Sequence, residues 1–182
     1  MNAFPTLETE KFVLRRLQRK DAPDLFHYFS SDLYTKFDGM ESLTKVEQAE
    51  DLIRIFDERF NNEKGLKWGI TMNNEDRVIG TCGFENWKKS DFKAEIGYGL
   101  SPEHWNNGIM TEVLNEVIKY GFEKLGLNRI EAMVTPDNVG SKVLLEKCGF
   151  KEEGYLRDYF FEKSSFVDIV IYSLLKKEFN GK

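Results

Sequence analysis

Between Glu95 and Phe150 an apolar strand runs into a polar turn holding one glycine, and the turn opens directly into a helix with an apolar stripe. The strand and its exit read Glu95-Ile96-Gly97-Tyr98-Gly99-Leu100-Ser101-Pro102. The turn reads Trp105-Asn106-Asn107-Gly108-Ile109-Met110-Thr111-Glu112. The helix spans Met110 to Leu125, with Gly126 where a left-handed C-cap would end it. A strand from Arg129 to Val134 stops before Pro136, and Asn138-Val139-Gly140-Ser141 opens a short helix to Cys148 that closes on Gly149-Phe150. A helix begun in this way presents unpaired backbone N–H groups and the positive end of its dipole, a place to hold phosphate. An ordinary helix start would have the same local pattern.

The rest of the chain fits around this segment. Phe12 to Leu17 forms a first strand, and Asp21 caps a helix with Pro23 in its first turn and Leu25, Phe26 and Phe29 at helical spacing. Ser30 to Leu43 is irregular. Thr44-x-x-Glu47 is a capping box opening a helix whose Ala49, Leu52, Ile53, Phe56 and Phe60 form one stripe. Leu66–Met72 and Arg77–Phe84 are strands joined by the polar hairpin turn Asn73-Asn74-Glu75-Asp76, and Ala94–Leu100 is a further strand. Lys151–Phe161 and Phe166–Leu174 make a terminal hairpin around Lys163-Ser164-Ser165. The order β-α-α-β-β-β-α-β-α-β-β is a mixed α/β domain spanning 1–182, with no repeat and no linker.

Composition excludes several classes. At 182 residues with 41% hydrophobic and 14% aromatic content, the chain can build a core. A net charge of −5 argues against nucleic acid or an anionic membrane as partner, since both want a basic face. Its two cysteines, Cys82 and Cys148, lack metal-ligand spacing, so no metal is expected and a reduced, cytoplasmic setting is. The N-terminus lacks a basic region followed by an apolar run, so no secretory signal is expected.

Several side chains can carry chemistry. Glu95 lies in a strand between Ala94 and Ile96, where a cleft would raise its pKa and suit it to take a proton from an ammonium; a solvated strand glutamate is the plainer alternative. Alternation puts Glu95, Gly97 and Gly99 on one face, leaving no side chains to obstruct a ligand along the two glycines. Asn138 can cap the helix it precedes or contact a ligand. Ser141 can bond helix backbone with its hydroxyl. His27 and His104 lie on a helix and in a loop and are weak candidates for a base. G-x-G-x-x-G and Gly-Lys-Ser/Thr phosphate loops are both missing.

These motifs, in this order, resemble the acetyl-CoA-binding half of the GNAT superfamily of N-acetyltransferases, and most of all the Rim-type branch that acetylates ribosomal-protein N-termini. The resemblance covers nearly the whole chain. Trp105 and Met110 stand where the family's phosphate turn usually has Arg or Gln and Gly or Ala, although the Rim-type branch is similar in having Trp. The resemblance implies the α/β (α+β) GNAT fold, a mixed sheet whose strands Ala94–Leu100 and Arg129–Val134 part to hold acetyl-CoA. It implies cosubstrate contacts from Gly99, Leu100, Asn106, Asn107, Gly108, Ile109, Met110, Thr111 and Asn138. It makes Glu95, through water, the base, and backbone N–H groups near Gly99 the oxyanion donors. Ser141 or water becomes the acid, because Leu145 stands where many members have tyrosine. The implied reaction is direct transfer of acetyl to a primary amine, the N-terminal α-amine of a protein, with the loop Ser30–Leu43 and the hairpin tip Phe160–Phe166 shaping the acceptor site. A homodimer is compatible with it. Two alternatives stand beside this one: a small-amine acetyltransferase acting on a polyamine or antibiotic, and a non-catalytic acyl-CoA sensor.

Overall fold

A computed structural model describes residues 3–179. Eight strands form one sheet in the order β1-β2-β3-β4-β5-β6-β8-β7. They are β1 (Leu7–Glu8), β2 (Phe12–Arg16), β3 (Leu66–Met72), β4 (Val78–Lys88), β5 (Lys93–Leu100), β6 (Arg129–Val134), β7 (Lys151–Glu162) and β8 (Ser165–Leu175). The helices are α1 (Ala22–Phe29), α2 (Asp32–Thr35), α3 (Val46–Asn61), α4 (Ile109–Glu123) and α5 (Val139–Lys147). Every pairing is antiparallel except β5 with β6, which run parallel because α4 carries the chain back across the sheet.

Helices cover both faces, which explains why the central strands read as nearly continuous apolar runs. Under α4, Val113, Leu114, Val117, Ile118 and Phe122 pack on Phe84, Ile96, Ile130 and Leu145. A Cβ at Gly121 would lie 2.6 Å from the ring of Phe84, so this glycine sets how closely α4 approaches β4. On the opposite face α1, α2 and α3 bury a second cluster that includes Leu25, Tyr28, Phe29, Tyr34, Ala49 and Ile53.

Local signals were met with identifiable shifts. Gly126 ends α4 at φ +70°. Asp21 does not cap α1 with its side chain; Arg15 takes that carboxylate at 2.8 Å, and the Gln18 N–H donates to it at 2.7 Å. The capping box at α3 is displaced by one residue. Gln48, not Glu47, accepts the N–H groups of Thr44 and Lys45 at 2.8 and 3.0 Å. The expected irregular segment contains one helical turn, α2, and the short β1 was missed because two residues carry no periodicity.

The position of the site is set by β5 and β6. Their register is Lys93↔Arg129, Ala94↔Ile130, Glu95↔Glu131, and it ends there. Beyond Glu95 the strands part. At the closed end Arg129 Nε donates to Glu131 Oε1 at 2.7 Å and its other nitrogens reach Glu153 on β7, while Lys93 Nζ lies 3.2 Å from Glu131. Burial would raise the Glu131 carboxyl, but Arg129 and Lys93 outweigh it and hold it below the ordinary range. The hydrogen bond from Arg129 holds Glu153 down to about 2.

Arg129→Ala should therefore destabilise the fold by about 2 kcal/mol at pH 7, since it leaves a largely buried carboxylate short of its donors. Carboxyls held low stabilise above the unfolded value of about 4.3 and lose that contribution as pH falls. The gap between wild type and variant in urea melts should be widest near pH 7 and narrow toward pH 3. A pH-independent difference would mean that Arg129 acts through its aliphatic stem alone.

Candidate active site

Where β5 and β6 part, the sheet holds a gap. The gap, about 130 Å³, is lined by Ile96, Gly97 and Tyr98 of β5, Ala132 to Val134 of β6 and Thr135, with Asn138 and Ser141 from the start of α5 and Phe37 from the opposite layer. Backbone in the gap lacks its strand partner. The Ser101 N–H donates to the Ile79 carbonyl at 2.8 Å, and Gly80 stands opposite Leu100. Antiparallel alternation then turns the N–H and C=O of Gly97 and Gly99 toward β4, and those of Ile96, Tyr98 and Leu100 into the gap. The backbone N–H groups of β5 that face the gap therefore belong to Tyr98 and Leu100, either side of Gly99. The Thr135 hydroxyl is also buried there, with no hydrogen-bond partner among the described residues.

The polar turn lies beyond the end of β5. Trp105 Nε1 donates to the Leu100 carbonyl at 2.7 Å, so the indole anchors the turn to the strand. This gives the tryptophan a backbone-holding task that a guanidinium's charge would not improve. Asn106 and Gly108 sit at φ +62° and +75°, and nothing lies within 4 Å of where a Gly108 Cβ would be. Among the described residues the N–H groups of Asn107, Gly108, Ile109 and Met110 donate to no protein acceptor, whereas that of Thr111 is taken by the Gly108 carbonyl at 3.1 Å. The Ile109 and Met110 side chains are buried in the core. The turn is thus a set of convergent donors at a helix start, suited to an anionic phosphate.

On the α5 side of the gap, Asn138 Oδ1 accepts the Ser141 N–H at 3.1 Å, so the capping geometry is present and the Asn138 amide group remains for another acceptor. Ser141 Oγ lies 2.6 Å from the Tyr98 hydroxyl. Leu145 is fully buried. Tyr98 escaped the sequence reading because alternation groups it with the core residues Ile96 and Leu100; its hydroxyl was the only signal.

The other face is acidic and half-buried. Glu95, the last residue of β5 paired with β6, stands just before the gap and is not among the residues that line it; burial raises its carboxyl above the ordinary range, partly offset by Asn86 and reinforced by Glu131 and Glu85. Lys67 bonds Glu85 at 2.6 Å and donates to the Gly97 carbonyl at 3.2 Å. Asp38 accepts the Met40 N–H at 3.1 Å, and burial pushes its carboxyl up. The glycines do not leave open room, as the sequence suggested. A Cβ at Gly99 would lie 2.0 Å from the Tyr34 hydroxyl, and one at Gly97 would lie 3.0 Å from Lys67 Nζ. Their missing side chains make space for the protein's own residues. The loop and the hairpin tip do meet: Lys163 Nζ donates to the Thr35 carbonyl, and Glu162 lies against Gly39. His27 and His104 flank Glu103, at 3.8 and 3.5 Å, and neither lines the gap.

Residues 11–151 match the family model described as an acetyltransferase (GNAT) domain. The uncharacterized N-acetyltransferase YoaA of Bacillus subtilis (strain 168) is 41% identical over 95% of this chain and 98% of its own. The [ribosomal protein uS5]-alanine N-acetyltransferase of Escherichia coli (strain K12) is 26% identical over 92% of this chain and 89% of its own. The structure of the microcin C7 self-immunity acetyltransferase MccE in complex with acetyl-CoA and AMP superposes with a TM-score of 0.83 at 23% identity, covering 91% of this chain and 93% of that one.

Gly99→Ala should destabilise the fold by about 1–3 kcal/mol, because the methyl must displace Tyr34. Tyr34→Phe should not rescue it, since ring carbons of Tyr34 would still lie 2.8 Å from the new Cβ. Chemical denaturation of the single and double variants checks this, and a neutral Gly99→Ala would show that the Tyr34 ring swings away freely.

Proposed function

The chain belongs to the GNAT acetyltransferase family and is an acetyl-CoA-dependent N-acetyltransferase; on that premise we propose that its acceptor is the N-terminal α-amine of a protein, of the ribosomal-protein type. The observation that carries the reading is the gap where β5 and β6 part, lined by the Tyr98 and Ser141 hydroxyls, with Glu95 at the last β5–β6 pair just before it. The uS5-alanine acetyltransferase, similar over 92% of this chain, supports the choice of acceptor. An α-amine with a pKa near 8 also needs less help to lose its proton than a lysine near 10.4. Such acceptors are met in the cytoplasm, where two free, buried cysteines are unremarkable.

The residues fit acetyl-CoA as second substrate. The free N–H groups of Asn107 to Met110 suit its pyrophosphate, with Asn106 in the left-handed turn ahead of them. The unpaired edge of β5, the Asn138 amide and the orphaned Thr135 hydroxyl suit the amides of its pantetheine arm. Glu95, through water, takes a proton from the acceptor ammonium. The neutral amine attacks the thioester carbon directly, and the N–H groups of Tyr98 and Leu100 meet the developing oxyanion. The Ser141 hydroxyl faces the sulfur that departs. Tyr34, Asp38 and the tip of the β7–β8 hairpin wall the acceptor side.

A small cationic amine is the second reading, favoured by the carboxylates of Glu95, Glu85 and Asp38 around one face. Labelled acetyl transfer to an Ala- or Ser-started peptide, its N-blocked lysine-containing analogue and spermidine separates the two. The α-amine peptide should have the highest kcat/KM; spermidine ahead by tenfold or more would overturn the choice of acceptor. Glu95→Gln should lower kcat/KM about 10²-fold. Because folding disfavours the ionised form of a carboxyl held high, the same variant should melt no lower than wild type at neutral pH. Wild-type turnover of Glu95→Gln from pH 6 to 9 would remove Glu95 from the mechanism.

A further inference from the structure

We propose that Tyr98 is a positioning residue that aims the Ser141 O–H at the leaving sulfur; this rests on the acetyl-transfer reading of the gap. Tyr98 Oη and Ser141 Oγ are 2.6 Å apart, so one of the two hydroxyls donates to the other. Each hydroxyl has a single proton to give. If Ser141 gave its proton to Tyr98, it would have none for a ligand, and the phenol proton would point at nothing. Among the described residues the Tyr98 hydroxyl has no acceptor other than Ser141. The arrangement that wastes no donor has Tyr98 donating to Ser141 Oγ. The Ser141 proton is then left for a partner in the gap that both residues line.

The surroundings hold this arrangement in place. Burial pushes the Tyr98 phenol well up, so it stays a protonated donor through the neutral range. The ionisable groups beside it are Cys82 of β4 and Cys148 at the end of α5. Burial pushes these thiols up to about 12 and about 11, so both stay neutral there. The Ser141 backbone is fixed independently by Asn138 Oδ1 at 3.1 Å. One hydrogen bond thus sets the position of α5's first turn and the other sets the direction of the hydroxyl.

The chemistry balances without an alkoxide. When the C–S bond breaks, its electron pair stays on sulfur as a thiolate, which accepts the hydrogen bond from Ser141. The proton that finally neutralises the thiolate is the equivalent of the one the acceptor nitrogen gives up through Glu95 and water. Neither hydroxyl changes its charge.

The test uses bound CoA and needs no acceptor. A donor aimed at sulfur favours the thiolate of CoA over its thiol, so affinity for CoA should rise with pH across the thiol titration. Desulfo-CoA, which lacks the sulfur, should show no such rise. Calorimetry from pH 7 to 10 on wild type, Tyr98→Phe, Ser141→Ala and the double variant reads this directly. A hydrogen bond to a charged acceptor predicts a rise of about tenfold or more in wild type relative to desulfo-CoA. Tyr98→Phe keeps the ring and should lose most of the rise measured relative to desulfo-CoA. Ser141→Ala should lose it fully, and adding Tyr98→Phe to Ser141→Ala should change nothing further. A rise that survives Tyr98→Phe intact would overturn the positioning role, as would a second loss from Tyr98→Phe on top of Ser141→Ala. No rise in wild type would show that Ser141 does not face the sulfur. Failure to bind either ligand would sink the cosubstrate reading itself.

Discussion

Three residue pairs decide the architecture of the site. β5 and β6 run parallel from Lys93 to Glu95 and from Arg129 to Glu131, and then separate. A parallel ladder that stops inside a sheet leaves backbone N–H and C=O groups without partners, and buried groups in that state are costly unless something else pairs with them. Antiparallel partners on the outer sides, β4 for β5 and β8 for β6, continue to pair with both strands past the fork. The ion cluster of Arg129, Glu131, Glu153 and Lys93 ties the closed end, so the opening starts at a defined residue.

The two faces of the sheet beside the opening differ in charge. On the α5 side the groups are neutral: the Tyr98 and Ser141 hydroxyls, the Asn138 amide and two protonated thiols. On the other side stand Glu95, Glu85, Asp38 and Lys67. A thioester carbonyl wants donors and a departing sulfur wants an O–H, while an ammonium wants a carboxylate with a raised pKa. Alternation in β5 keeps the charged and the neutral groups apart, since Glu95 and Tyr98 belong to opposite sets along the strand. The glycines of β5 serve the same division by letting Tyr34 and Lys67 close over the strand.

Much of this was written in the chain. Periodicity located β3 and β6 to the residue and the terminal hairpin to within one, because their apolar runs are bounded by turn residues. The strand-turn-helix order around Gly108 was legible because backbone donors depend on local conformation alone. The resemblance of the segment Glu95 to Phe150 to a known family led to the parted strands. Glu95 and Ser141 could be singled out as types, since a strand glutamate and a helix-start serine are visible one residue at a time.

What the sequence by itself determined is therefore local: the elements, their order, and a helix start suited to phosphate. The tertiary structure alone decided which groups share a gap. The pairing of Tyr98 with Ser141 spans 43 residues, and nothing in either neighbourhood announces it. Which way β5's free N–H groups point depends on its register with β4, so Tyr98 and Leu100, not Gly99, face the opening. The room beside Gly97 and Gly99 looked open along the chain but is filled from α2 and β3. Each of these is a distance between residues far apart in sequence, fixed by packing rather than by local propensity.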